Sequence, residues 1–303
     1  MKISCVRSDE VYKKIMEAPF EKKNDIYRYE LMMPYEKKWA CYNVPMKPAT
    51  PNGYDVIIAS GMLGHIAPQM VDETQRENIE KLSDDTLWKS CEDSITRALT
   101  EFENKGISLP VQEYSFTILL AEATNPYIVL SKGYSGDGGI PGYIWGWLVP
   151  NDFTVKRLPA ALAHEANHNV RFQFIEWRND ITLGEMMVSE GLAENYATYL
   201  YGEEMAGPWV TETDMETLNE LIKPVLRENL GVQGLENLNS YLYGDDIADL
   251  QGYPRAGVQY CAGYACGYYL IKHYLKKTGK SIIEATILPA EEILEEVKDF
   301  WEI

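Results

Sequence analysis

Positive charge is scarce in this sequence. Lys and Arg total 28 against 46 Asp and Glu, a formal net charge of -18 at pH 7. That balance argues against a nucleic-acid partner, because a phosphate backbone has to be met by a basic face, and it disfavours anionic membrane surfaces. No uncharged apolar run is long enough to cross a bilayer. The opening segment MKISCVRSDEVYKK puts Arg7, Asp9 and Glu10 where a secretory leader needs apolar residues. A cytoplasmic protein is therefore expected. Cysteine is sparse as well: Cys5, Cys41, Cys91, Cys261 and Cys266 are odd in number and scattered, unlike a disulfide framework. No repeat or low-complexity tract appears, which removes solenoids and propellers. What the 303 residues do have is 46% hydrophobic and 12% aromatic content, enough for a substantial core in one large or two modest domains.

The pattern along the chain predicts strands first and helices later, hence α+β rather than alternating parallel units. Residues 1–110 read as a mixed accessory region, with a helix starting at Asp84-Asp85 and stopping at Gly106. Three strand-like runs follow, Tyr114–Ala121, Tyr127–Ser131 and Tyr143–Val149. The glycine-rich stretch Gly133–Gly142 between the last two reads as a mobile surface loop, with a lip over a substrate groove as the alternative. Helices are expected from Val155 to about Glu176, with Pro159 in the early part, then from Gly184 to Tyr201, and from about Ala256 to Lys277. A cleft between a mixed N-terminal part and a helical C-terminal part is the expected place for a site.

The informative stretch is LAHEANHNV, in which His164, Glu165 and His168 form His-Glu-x-x-His. A shuffled chain of this composition would carry the pattern in roughly 1 of 250 cases. Residues four apart on a helix differ by about 40° around the axis, so both imidazoles leave one face and can share a zinc ion. Glu165 lies about 100° further round, poorly placed as a ligand and well placed to take a proton from metal-bound water. A catalytic zinc needs a third protein ligand. The branch with a third histidine downstream is excluded, because Arg171 and Phe174 occupy its Gly and His positions. A carboxylate from the next helix is needed, and Glu185, Glu190 and Glu194 are there. Glu190 is favoured over Glu194, with Gly191 allowing close helix approach and Glu194 orienting a histidine from one turn on.

HEANH followed by SEGLAENYA resembles the gluzincin metallopeptidases, whose third ligand is a glutamate one helix downstream, and EGLAE is similar to the corresponding segment of zinc aminopeptidases. Twenty-one residues lie between His168 and Glu190, a little more than in the aminopeptidases. With Gly263-Tyr-Ala-Cys-Gly-Tyr268 included, the chain resembles the DUF2268 family of predicted Zn-dependent proteases over roughly residues 110–280. The resemblance implies a zincin-like catalytic region over 111–303, a Zn2+ cofactor held by His164, His168 and Glu190, and a peptide or protein substrate.

Tyr264, ahead of Tyr268, is the candidate hydrogen-bond donor to an oxyanion, against the plainer reading that both are core tyrosines in a chain with 21 of them. His273, near a basic helix end, reads as an exposed residue favourable to the helix dipole. Cys261 and Cys266 read as small packing residues. Glu165 and Tyr264 are thus the catalytic candidates of an expected zinc metallopeptidase, with an extended peptide pairing along Tyr143–Val149. The rivals are a zinc hydrolase or amidase of a small molecule and a non-catalytic interaction protein. Oligomeric state leaves no mark on the sequence.

Overall fold

Alternating aromatic and branched residues in EYSFTILL and YIWGWL build the centre of a four-stranded sheet. The computed structural model describes residues 1–51 and 53–302. Among them the chain is mixed α and β and mostly helical. The strands are β1 (Lys2–Cys5), β2 (Glu113–Leu120), β3 (Tyr134–Asp137) and β4 (Tyr143–Leu148), in the order β1-β2-β4-β3. β1, β2 and β4 run parallel, and β3 returns antiparallel along β4. β4 is therefore paired on both sides. The expectation that a peptide adds to Tyr143–Val149 is wrong for that reason: its backbone groups are already used, and the edges of the described sheet are β1 and β3.

Two other expectations change. Residues 127–131 are not a strand: a short helix spans Pro126–Leu130, because Asn125 caps it by accepting the Tyr127 amide and Pro126 has the φ of a first helical residue. The glycine-rich stretch is not wholly loop, since it contains β3. Its glycines leave no side-chain periodicity from which to read a strand.

The chain divides into two compact units, residues 1–97 with 111–165 and residues 98–110 with 166–303. In the first, Tyr12, Tyr35, Trp39, Phe116 and Trp145 are fully buried around the sheet. The His helix (Asp152–Phe174) starts three residues before the expected Val155, because the Asn151 side chain accepts the Phe153 and Thr154 amides as an N-cap. Pro159 consequently lies seven residues into the helix, deeper than the early place expected from a start at Val155. Its carbonyl accepts the Ser94 hydroxyl at 2.5 Å. In the second unit, the Glu helix (Leu183–Tyr201) is buried on nearly every side. The Gly-Tyr helix packs across it and spans Ala262–Thr278, starting later than expected because Cys261 takes a left-handed conformation at φ 52°. No helix among the described residues is long and apolar enough to cross a membrane.

One buried group in the first unit makes stability depend on acid. His65 lies tilted to Trp145 and edge-on to Trp147, with ring centroids 6.0 and 4.8 Å away, and neither of its ring nitrogens has a hydrogen-bond partner among the described residues. Burial pushes its pKa down to about 3, opposed by Asp137 and reinforced by Lys38. In the unfolded chain a histidine titrates near about 6.5. The stability His65 permits is thus fully present above that pH and is lost as pH falls from there toward about 3, because the unfolded chain takes a proton the folded one refuses. His65→Phe removes this linkage. In urea unfolding at pH 7 and pH 5, the stability gap between the two conditions should shrink by about 2 kcal/mol. An unchanged gap would refute it.

Candidate metal centre

His164 and His168 leave the His helix one turn apart, about 6 Å along its axis. Both are buried, at 4% and 7% exposure. The second half of this helix is tied down by polar groups: Asn167 donates to the Thr286 hydroxyl at 2.8 Å, and the buried Arg171 donates to the Thr286 and Leu288 carbonyls at 2.8 and 2.9 Å. Burial pushes the Arg171 pKa down to about 10.

The Glu helix is aligned by a capping box. Thr182 Oγ1 accepts the Glu185 amide, and the Glu185 carboxylate accepts the Thr182 amide. Glu185 also pairs with Arg178 at 2.9 Å, so it serves the cap. Two turns later, Glu190 Oε2 lies 3.2 Å from His168 Nε2. The potential ligand atoms of His164, His168 and Glu190 all lie within 4.8 Å of one another, and among the described residues this is the single such cluster of three or more His, Cys, Asp or Glu side chains.

This donor set fits a zinc ion. Two ligands held tetrahedrally at zinc bond lengths are about 3.3 Å apart, close to the His168–Glu190 spacing. Glu190 is only 7% exposed, and a carboxylate so buried is stabilised by a nearby positive charge. Sequence reasoning missed Ser189, whose hydroxyl lies 3.2 Å from His168 Nδ1. The tautomer that leaves Nε2 to a metal carries its proton on Nδ1, which then donates to Ser189 and fixes the ring. The signal was available: Ser189 immediately precedes Glu190.

Glu165 has a different environment. Its Oε2 accepts the Gly138 amide at 2.7 Å, from the turn that follows β3. A β-carbon at Gly138 would fall 2.0 Å from the Glu165 carbonyl oxygen, and one at Gly136 would fall 2.6 Å from Glu165 Cγ. Only glycine permits this approach.

The other candidates have partners of their own. Glu194 accepts the Gly207 amide and the Trp209 indole N–H, both at 2.7 Å. The Tyr264 ring lies tilted against that of Tyr243, with centroids 5.5 Å apart. Tyr268 lies under the Lys272 ammonium, 5.5 Å from the ring centre. His273 pairs with Asp299 at 3.1 Å, partly exposed. Cys261 and Cys266 are buried, and burial pushes both thiols up. Gly191 does allow a close approach, but to Gly267 of the Gly-Tyr helix rather than to the His helix as its place beside Glu190 suggested.

Comparison with known sequences agrees with this geometry. The profile of a family described as "Predicted Zn-dependent protease (DUF2268)" matches residues 87–295, more than half of the chain. Uncharacterized protein YjfC of Bacillus subtilis (strain 168) is 36% identical over 295 residues, 97% of this chain and 97% of that protein. Uncharacterized protein YjaZ of the same organism is 27% identical over 148 residues, 48% of this chain and 52% of that one. No solved structure matches. On the profile and on the full-length likeness to YjfC, the chain belongs to the DUF2268 family of predicted Zn-dependent proteases.

Proposed function

We propose that the protein is a zinc-dependent metallopeptidase of gluzincin type on a zincin-like fold, with His164, His168 and Glu190 as ligands and Glu165 as general base. The observation that carries the reading is the convergence of two imidazoles and a carboxylate from consecutive long helices. A zinc ion held there would acidify a bound water and polarise a scissile carbonyl. Glu165, directed by the Gly138 amide, takes the proton as attack begins and returns it to the leaving amine. Tyr264 donates its hydroxyl to the developing oxyanion.

The peptide reading is favoured over a small-molecule amidase by β3. This strand has a partner, β4, on one side only. The turn that follows it delivers the Gly138 amide to Glu165, so an extended peptide paired along β3 runs past the base. Five free thiols support a reducing, cytoplasmic place of action.

The test is elemental analysis of the purified protein together with digestion of a peptide library, with and without chelator. About one zinc per chain is expected, with cleavage lost on chelation and restored by added zinc. Absence of bound metal overturns the proposal. Bound metal with intact library peptides, but hydrolysis of small amides, transfers it to the amidase.

A further inference from the structure

β3 ends in a charge that the peptidase reading does not use. Asp137 pairs in register with Trp145 of β4, and Lys38 engages both. The Lys38 ammonium is 2.8 Å from Asp137 Oδ2 and 4.7 Å from the centre of the Trp145 ring, and its side chain is fully buried. The Tyr42 hydroxyl donates to the same carboxylate from 3.0 Å, and the Gly139 amide donates to Asp137 Oδ1 at 2.9 Å. Burial alone would raise the Asp137 pKa, but Lys38, the Gly139 amide and Tyr42 outweigh it and hold the carboxyl below its ordinary range. Asp137 is therefore a fixed anion whose every neighbour restrains the turn.

The residue after Asp137 is the one whose amide meets Glu165. A turn free to shift by an ångström would carry that amide off the carboxylate, and misplacement on this scale costs catalysis heavily. We propose that Asp137, latched by Lys38 and Tyr42, is a positioning residue that holds the Gly138 amide on Glu165. Its catalytic consequence rests on Glu165 being the base, whereas its structural consequence does not.

The experiment uses the full chain with Asp137→Asn, Lys38→Met and Tyr42→Phe. Tyr42→Phe removes one hydroxyl from a half-exposed ring and so guards against variants that fail to fold because a buried charge loses its partner. Amide hydrogen exchange at Gly138 is expected to quicken about tenfold or more, with zinc content unchanged. On the library peptides cleaved by the native protein, kcat should fall by about 10- to 100-fold with KM little changed, the split expected when a base is misplaced and substrate binding is intact. Unaltered exchange at Gly138 in a folded Asp137→Asn or Tyr42→Phe variant overturns the latch, whether or not any peptide is cut. Faster exchange with native kcat overturns its catalytic role. Faster exchange in a protein that cleaves no peptide leaves the latch standing and removes only the peptidase reading.

Discussion

Glu165→Gln is expected to keep its zinc and lose turnover by a factor on the order of 10^3. The substitution preserves shape. The amide oxygen of Gln can still accept the Gly138 N–H that now reaches Glu165 Oε2 at 2.7 Å, and none of the clustered donors, His164, His168 and Glu190, is altered. Only the capacity to take and return a proton is removed. Elemental analysis and kcat on a cleaved library peptide check the two halves separately. Native turnover in Glu165→Gln would refute its role as base. Lost zinc would show that Glu165 belongs to the ligand set instead. His168→Ala should do the reverse and release the metal, since it deletes one of the three proposed ligands.

Gly191→Ala is expected to lower the stability of the helical unit by at least about 3 kcal/mol, a fall in Tm of roughly 6–12 °C. A β-carbon at Gly191 would lie 2.2 Å from the Gly267 carbonyl oxygen, and one at Gly267 would lie 2.2 Å from that of Met187. Both obstacles are backbone, so no rotamer change relieves them. The crossing is further pinned by Asn195, whose amide nitrogen donates to the Gly191 carbonyl at 2.8 Å and to the Tyr268 carbonyl at 2.9 Å. Relief requires the two helices to separate, which moves the adjacent Glu190 away from His168, so zinc affinity should fall together with Tm. Gly61→Ala is the control: nothing lies within 4 Å of its added carbon, and in a helix it should be neutral or gain up to about 1 kcal/mol. A Gly191→Ala protein that melts with the native one would show that the helices yield easily.

The cluster of His164, His168 and Glu190 was legible because helix geometry is short-range. The step of four from His164 to His168 dictates a shared face whatever surrounds it, and the following helix offers Glu190 as a carboxylate. Where packing decides, the reading went astray. Nothing local says that Gly191 faces Gly267, some seventy residues on, rather than the His helix. β3 was missed because Gly136 and Gly138, kept small by Glu165, erase the alternation by which strands are recognised. Tyr127–Ser131 looked like a strand on composition alone, although Asn125-Pro126 is a cap followed by a first-turn proline. Lys38 and Tyr42 carry no spacing signal at all. Their partner, Asp137, lies 99 and 95 residues away and meets them only in the folded chain.

The pairing of β1 with β2 has a consequence for biosynthesis. Lys2 aligns with Glu113 and Cys5 with Phe116, so β1 waits for more than a hundred later residues before it finds its neighbour. The antiparallel β3–β4 ribbon needs only residues 134 to 148 and can form as soon as they emerge. A nascent chain therefore holds β1 unpaired until β2 has been made, the interval in which a chaperone able to shield an extended segment has the most to offer.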